Sequence, residues 1–110
     1  MSSVVFLYPE RGEAKMIHVK IRPDGLSVDG HAGAGPYGHD IVCAAVSALT
    51  FTLEAALREL SGDEIESCTE PAGHVSVKWQ KLSDTGRAYV DAWFLGICMV
   101  ANSYNCITFV

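Results

Sequence analysis

The sequence predicts an α+β fold in two layers, a largely antiparallel β-sheet with two main helices packed on one face. Three observations predict it. Short strand-like stretches, alternating over residues 16–21 and 26–28, lie in the first thirty positions, two long apolar segments follow further on, and turn-forming residues separate them. At 110 residues, 49% of them apolar and 19% charged, the chain has the length and composition of one folded domain, residues 1–110, with a single core.

Taken in order, residues 4–8 are β-branched, aliphatic and aromatic, and residues 9–12 are turn material, so an N-terminal strand is expected within residues 1–15. Met16 to Ile21 alternates, with Ile17, Val19 and Ile21 on one face. The run Arg22-Pro23-Asp24-Gly25 has the chemistry of a tight turn, after which Leu26 and Val28 continue the alternation up to Gly30. Gly30, Gly33, Gly35, Pro36 and Gly38 then predict a mobile loop. Asp40 sits where a helix cap belongs, ahead of a helix over residues 41–60 that Ser61-Gly62 ends. Apolar residues surround the first half of that helix, which predicts near-complete enclosure. Val75, Val77 and Trp79 predict a half-buried strand, residues 84–104 a second helix, and residues 107–110 a last strand. The expected order is βββαβαβ. Trp79, Trp93 and Tyr104 are expected to anchor the core or an interface.

Composition also excludes. A formal net charge of −5 with no run of Lys or Arg leaves no basic footprint for phosphates, so no direct nucleic acid partner is expected. The N-terminus lacks the pattern of a secretory signal, and the apolar segment over residues 88–101 carries Asp91 and is short for a bilayer; a cytoplasmic protein without a membrane partner is expected. Cys43, Cys68, Cys98 and Cys106 are therefore expected as reduced thiols.

The chemistry concentrates between Gly30 and Ser47. With a helix starting after Asp40, Cys43 lies in the first turn, where free amides and the helix dipole favour a thiolate and can hold an oxyanion. His31, at a strand end before the glycine loop, can fold back as the base. His39 is a second candidate base. Asp40 can orient an imidazole but is explained by capping, and Ser47, one turn after Cys43, can contact substrate or His31. Gly33, Gly35 and Gly38 belong to a loop that substrate is expected to order. Spacing alone leaves Cys43 open between a nucleophile and a packed small hydrophobe. A metal site is disfavoured because the spacing lacks paired Cys or His ligands, and no cofactor motif is present: the glycines match neither phosphate-binding pattern.

The run Gly30-His31-Ala32, a glycine-rich spacer, then Gly38-His39-Asp40-Ile41-Val42-Cys43-Ala44-Ala45-Val46-Ser47 resembles the ribosomal-processing cysteine protease family. The resemblance is specific over that run, extends as a looser pattern from Met16 to about Leu60, and holds for the C-terminal half only in layout. It implies that His31 and Cys43 are the catalytic pair of a cysteine endopeptidase. It further implies a homodimer of small subunits and a protein substrate, a large-subunit ribosomal protein losing a short N-terminal extension, with capsid-assembly precursors as the substrate of phage-encoded relatives. Cleavage in that family follows aromatic residues and precedes a small one. Residues 1–15 precede the family's usual start. The alternative is a non-catalytic dimeric module in which Cys43 is simply packed.

Overall fold

Ile17, Val19 and Ile21 alternate with His18, Lys20 and Arg22, and this period of two sets the first strand and its inward face. The structure, a computed structural model, describes residues 17–30, 37–70 and 73–110, with side chains given from residue 41 onward in the first helix. The elements are β1 (Ile17–Arg22), β2 (Gly25–Asp29), α1 (Tyr37–Glu59), β3 (Ile65–Glu70), β4 (His74–Trp79), α2 (Asp84–Ser103) and β5 (Ile107–Phe109). The strand expected over residues 4–8 lies outside the described residues.

The strands form one sheet in the order β3-β4-β2-β1-β5. Three pairings are antiparallel and β1 with β5 is parallel. Trp79 locks the β1–β2 turn, donating its amide to the Asp24 carbonyl and its indole N–H to the Pro23 carbonyl, both at 3.0 Å. The inward positions Ile17, Val19, Leu26, Val28, Val77 and Trp79 form one core with Val42, Val46, Leu53 and Leu57 of α1 and Val90, Trp93 and Ile97 of α2. Both helices therefore cover the same face of the sheet, and at about 25 cal/mol per Å² their shared burial is the main stabilising contribution.

Three expectations change. β3 is a strand that sequence pattern does not announce: its helix-facing positions are Ile65, Ser67 and Thr69, so apolar alternation is missing, and pairing with β4 forms it instead. The first helix begins at Tyr37, not after Asp40, so Gly38, His39 and Asp40 belong to its first turns and Asp40 is not its cap. Pro36 directly precedes this start, and proline is tolerated at a helix N-terminus, where its missing N–H has no intrahelical partner in any case. Finally, α1 is not enclosed: Ile41 is 54% exposed and Phe51 44%. Residues Ile41–Glu59 are long and apolar enough to cross a membrane, yet Val42, Val46, Leu53 and Leu57 are spent on the core.

Asp63 ties the end of α1 to the start of α2. Its carboxylate accepts from Ser61 Oγ at 2.6 Å, Ser83 N–H at 2.8 Å and Ser83 Oγ at 2.9 Å, while Ser83 Oγ caps α2 by accepting the Gly86 N–H at 2.9 Å.

Candidate active site

Cys43 is the seventh residue of α1, in its second turn, and is half-buried. The helix is held in rotation by Val42 and Val46, both buried, which leaves Cys43 on the flank of the core stripe. Ser47 follows one turn later on the same flank and is likewise half-buried.

At helical spacing, that flank continues to Glu54 and Arg58. Both reach β3: Arg58 donates to Ser67 Oγ at 2.9 Å, and Ser67 Oγ donates to Glu54 Oε2 at 2.6 Å, with Arg58 also pairing Glu54. The hydrogen bond from Ser67 holds the Glu54 carboxyl below its ordinary range against the opposing effect of burial, with the hydrogen bond and then the charge of Arg58 adding to it. The Cys43 flank of α1 is therefore the flank that faces the β3 side of the sheet, and α2 lies on the other.

The helix start alters the chemistry expected of Cys43. Only the first four amides of a helix lack an intrahelical partner, and the dipole acts mainly within the first turn. The Cys43 amide is past that point and belongs to the helical ladder. Activation of the thiol by the helix terminus, and an oxyanion donor in Cys43's own N–H, are both weaker than the expected start after Asp40 implied. A catalytic role for Cys43 would therefore need a basic partner.

The segment carrying His31, the candidate base, leaves β2 at a defined kink. Gly30 has φ +84°, a conformation costly for residues with a Cβ, and its N–H donates to Asp29 Oδ1 at 2.9 Å. Asp29 Oδ1 also lies 3.5 Å from His74 Nδ1 of β4, so the chain departs toward His31 from a point held by two strands. His31, Gly33 and Gly35 lie outside the described residues, as does any contact between His31 and Cys43. Gly38, His39 and Asp40 are placed only as backbone of α1.

Among the described residues no group of three His, Cys, Asp or Glu could hold a metal ion. Burial raises the Cys106 thiol above its ordinary value, which suits an inert core cysteine. Cys98 is half-buried and Cys68 exposed. The cavities lined wholly by described residues lie away from Cys43. One of about 460 Å³ lies toward the other end of β3 and β4, lined by Asp24, Glu64, Ile65 and Trp79 among others, and one of about 510 Å³ wraps the β3 edge beside Arg58, Glu66 and Cys68. Sequence reasoning missed the Glu54–Arg58–Ser67 cluster; its one legible signal was the i, i+4 spacing of Glu54 and Arg58.

Comparison with known proteins follows from this geometry. Residues 16–107 match the family model described as cysteine protease Prp. The ribosomal processing cysteine protease Prp of Staphylococcus aureus is 38% identical over 80 residues, which cover 71% of this chain and 76% of the relative. A crystal structure of an essential ribosomal processing protease Prp from S. aureus with a substrate peptide superposes with a TM-score of 0.76 at 22% identity, covering 86% of this chain and 96% of that one. SMU.848 from Streptococcus mutans superposes with a TM-score of 0.72 at 30% identity, covering 89% and 95%.

Proposed function

Since this chain belongs to the cysteine protease Prp family and is a cysteine-type peptidase, we propose that it is an endopeptidase with Cys43 as nucleophile and His31 as base. Its substrate on this reading is the short N-terminal extension of a large-subunit ribosomal protein. The observation that carries the reading is a half-buried Cys43 near the start of α1, the helix that the chain enters after the Gly30 kink and His31.

His31 takes the Cys43 proton, and the thiolate adds to the scissile carbonyl. The tetrahedral intermediate collapses to a thioester as the imidazolium gives its proton to the departing amine. Water, deprotonated by the same imidazole, then releases the acid and restores the thiol. Because Cys43 sits past the helix start, the ion pair with His31 supplies most of the thiolate's stabilisation. Ser47 is placed to meet substrate on the same flank. Asp40 and His39 are the candidates for support from the first turn of α1, and ordering of Gly33 and Gly35 accompanies substrate binding. The protein works in the cytoplasm as a homodimer, without cofactor or metal. A capsid-assembly precursor is the second substrate class to assay.

Cys43→Ala abolishes cleavage of a peptide spanning the processing site while leaving thermal unfolding unchanged, and His31→Ala lowers kcat by at least about 10². Undiminished cleavage by Cys43→Ala sinks the assignment. Iodoacetamide reactivity gives a second readout, provided that peptide mapping separates Cys43 from the exposed Cys68.

A further inference from the structure

The geometry points to the outer edge of β3 as the strand on which substrate is laid, in the form of an extended segment bearing basic residues. This rests on Cys43 as the nucleophile.

Among the described residues, β3 is an edge strand with β4 on one side only. An edge carries a row of backbone donors and acceptors open to a further strand. Position along the edge is set by the α1 flank. The short connection after Glu59 reverses the chain, so β3 runs back toward the end of the molecule where α1 starts. Cys43 lies eleven residues before Glu54, about 16 Å along the helix. Ser67, which Glu54 grips, lies about 10 Å from Glu70 along the strand. Cys43 is therefore level with a point about two extended residues beyond the end of β3, where a chain paired with residues 66–70 would place its scissile bond.

The helix layer leaves this stretch open. Thr69 shares the helix-facing side with Ile65 and Ser67, yet it is exposed, and its partner Val75 is only half-buried. A side chain of a paired peptide can rest there, against the Cys43 and Ser47 flank. On the opposite face stand Glu66 and Glu70, both exposed. Residues 63–70 contain four acids and no base. Of the cations nearby, Arg58 pairs Glu54, and Lys78 stands opposite Glu66 in the ladder. Acidic residues on an edge also deter pairing between copies, but that role does not select the charge of a bound peptide.

The test uses labelled peptides with a common Phe-Phe-Ala core and either Lys or Glu at the flanking positions, titrated against Cys43→Ala in the full chain by fluorescence anisotropy. The Lys peptide binds roughly tenfold more tightly than the Glu peptide at low salt, and added NaCl narrows the gap. Glu66→Lys/Glu70→Lys removes or inverts the preference; Glu70→Gln, a milder change, reduces it. Methylating peptide amides one at a time weakens binding at every second position. Equal affinity for the two peptides, a preference that survives charge reversal, or methylation without positional pattern overturns the proposal. Failure of the catalytic reading is separate: it shows as wild-type protein that binds with this pattern and does not cleave.

Discussion

Thr50 shows how one residue can hold a core together from within. It is the one buried polar residue among those described, 1% exposed. Its hydroxyl donates to the Val46 carbonyl at 2.8 Å and accepts the Trp93 indole N–H at 3.1 Å, joining the two helices inside apolar surroundings. Thr50→Val keeps the shape and orphans the indole donor. A loss of about 1–3 kcal/mol is expected, read as a lower denaturation midpoint with unchanged slope. Cys43 illustrates the limit of residue-level reading. Its type and its distance from His31 were legible, while its place in the second turn depends on where the backbone begins to coil, and a glycine-rich run hides that point.

At the scale of elements, the α1–β3–α2 connections are held by two carboxylates. Hydrogen bonds from Ser61 and then from the Ser83 amide hold the Asp63 carboxyl below its ordinary value of 3.8, and Glu54 is held below 4.5 by Ser67 and Arg58. A carboxyl with a depressed value in the folded protein contributes stability above its unfolded value and loses it as pH falls through the folded one. Thermal stability therefore declines on acidification below about pH 4.5, and Asp63→Asn lowers the melting temperature at neutral pH while flattening that acid decline. Gly86 tests the packing of the same joint. A Cβ there would collide with Asp63 Oδ2 and lie 3.3 Å from Leu57 Cδ2. Gly86→Ala is expected to cost about 1–3 kcal/mol despite alanine's better helix propensity, measurable by urea unfolding.

The whole molecule has an uncovered apolar side. Leu95 is 63% exposed and Met99 70%, and with Ile41 and Phe51 they crowd the helix layer's surface beyond what two helices on a sheet require. Between the helices, Ala48, Leu49, Thr52, Tyr89, Ala92 and Trp93 line a groove of about 300 Å³. This is the surface on which the homodimer proposed above would associate. Leu95→Glu/Met99→Glu is expected to shift the mass measured by light scattering from dimer to monomer; an unchanged dimer moves the interface elsewhere.

The fold class, β1, β2, β4, both helices and β5 could be read from the chain: β1, β2 and β4 carry a period of two that their burial largely repeats, and the helices and β5 are apolar segments set off by turn residues. The start of α1 could not, since Gly38 speaks for a loop and only the packed backbone decides otherwise. β3 could not either: Ile65, Ser67 and Thr69 give no apolar face, and the strand exists through its ladder to β4, a partner distant from its own local preference. For the site, the sequence alone determined the chemical identity of Cys43 and the glycine at which the chain turns toward His31, because residue type carries reactivity and conformational freedom. Only the tertiary structure decided which flank of α1 Cys43 occupies and which strand edge lies beside it. Those depend on how Val42 and Val46 seat the helix on the sheet, a relation between segments that no single segment encodes.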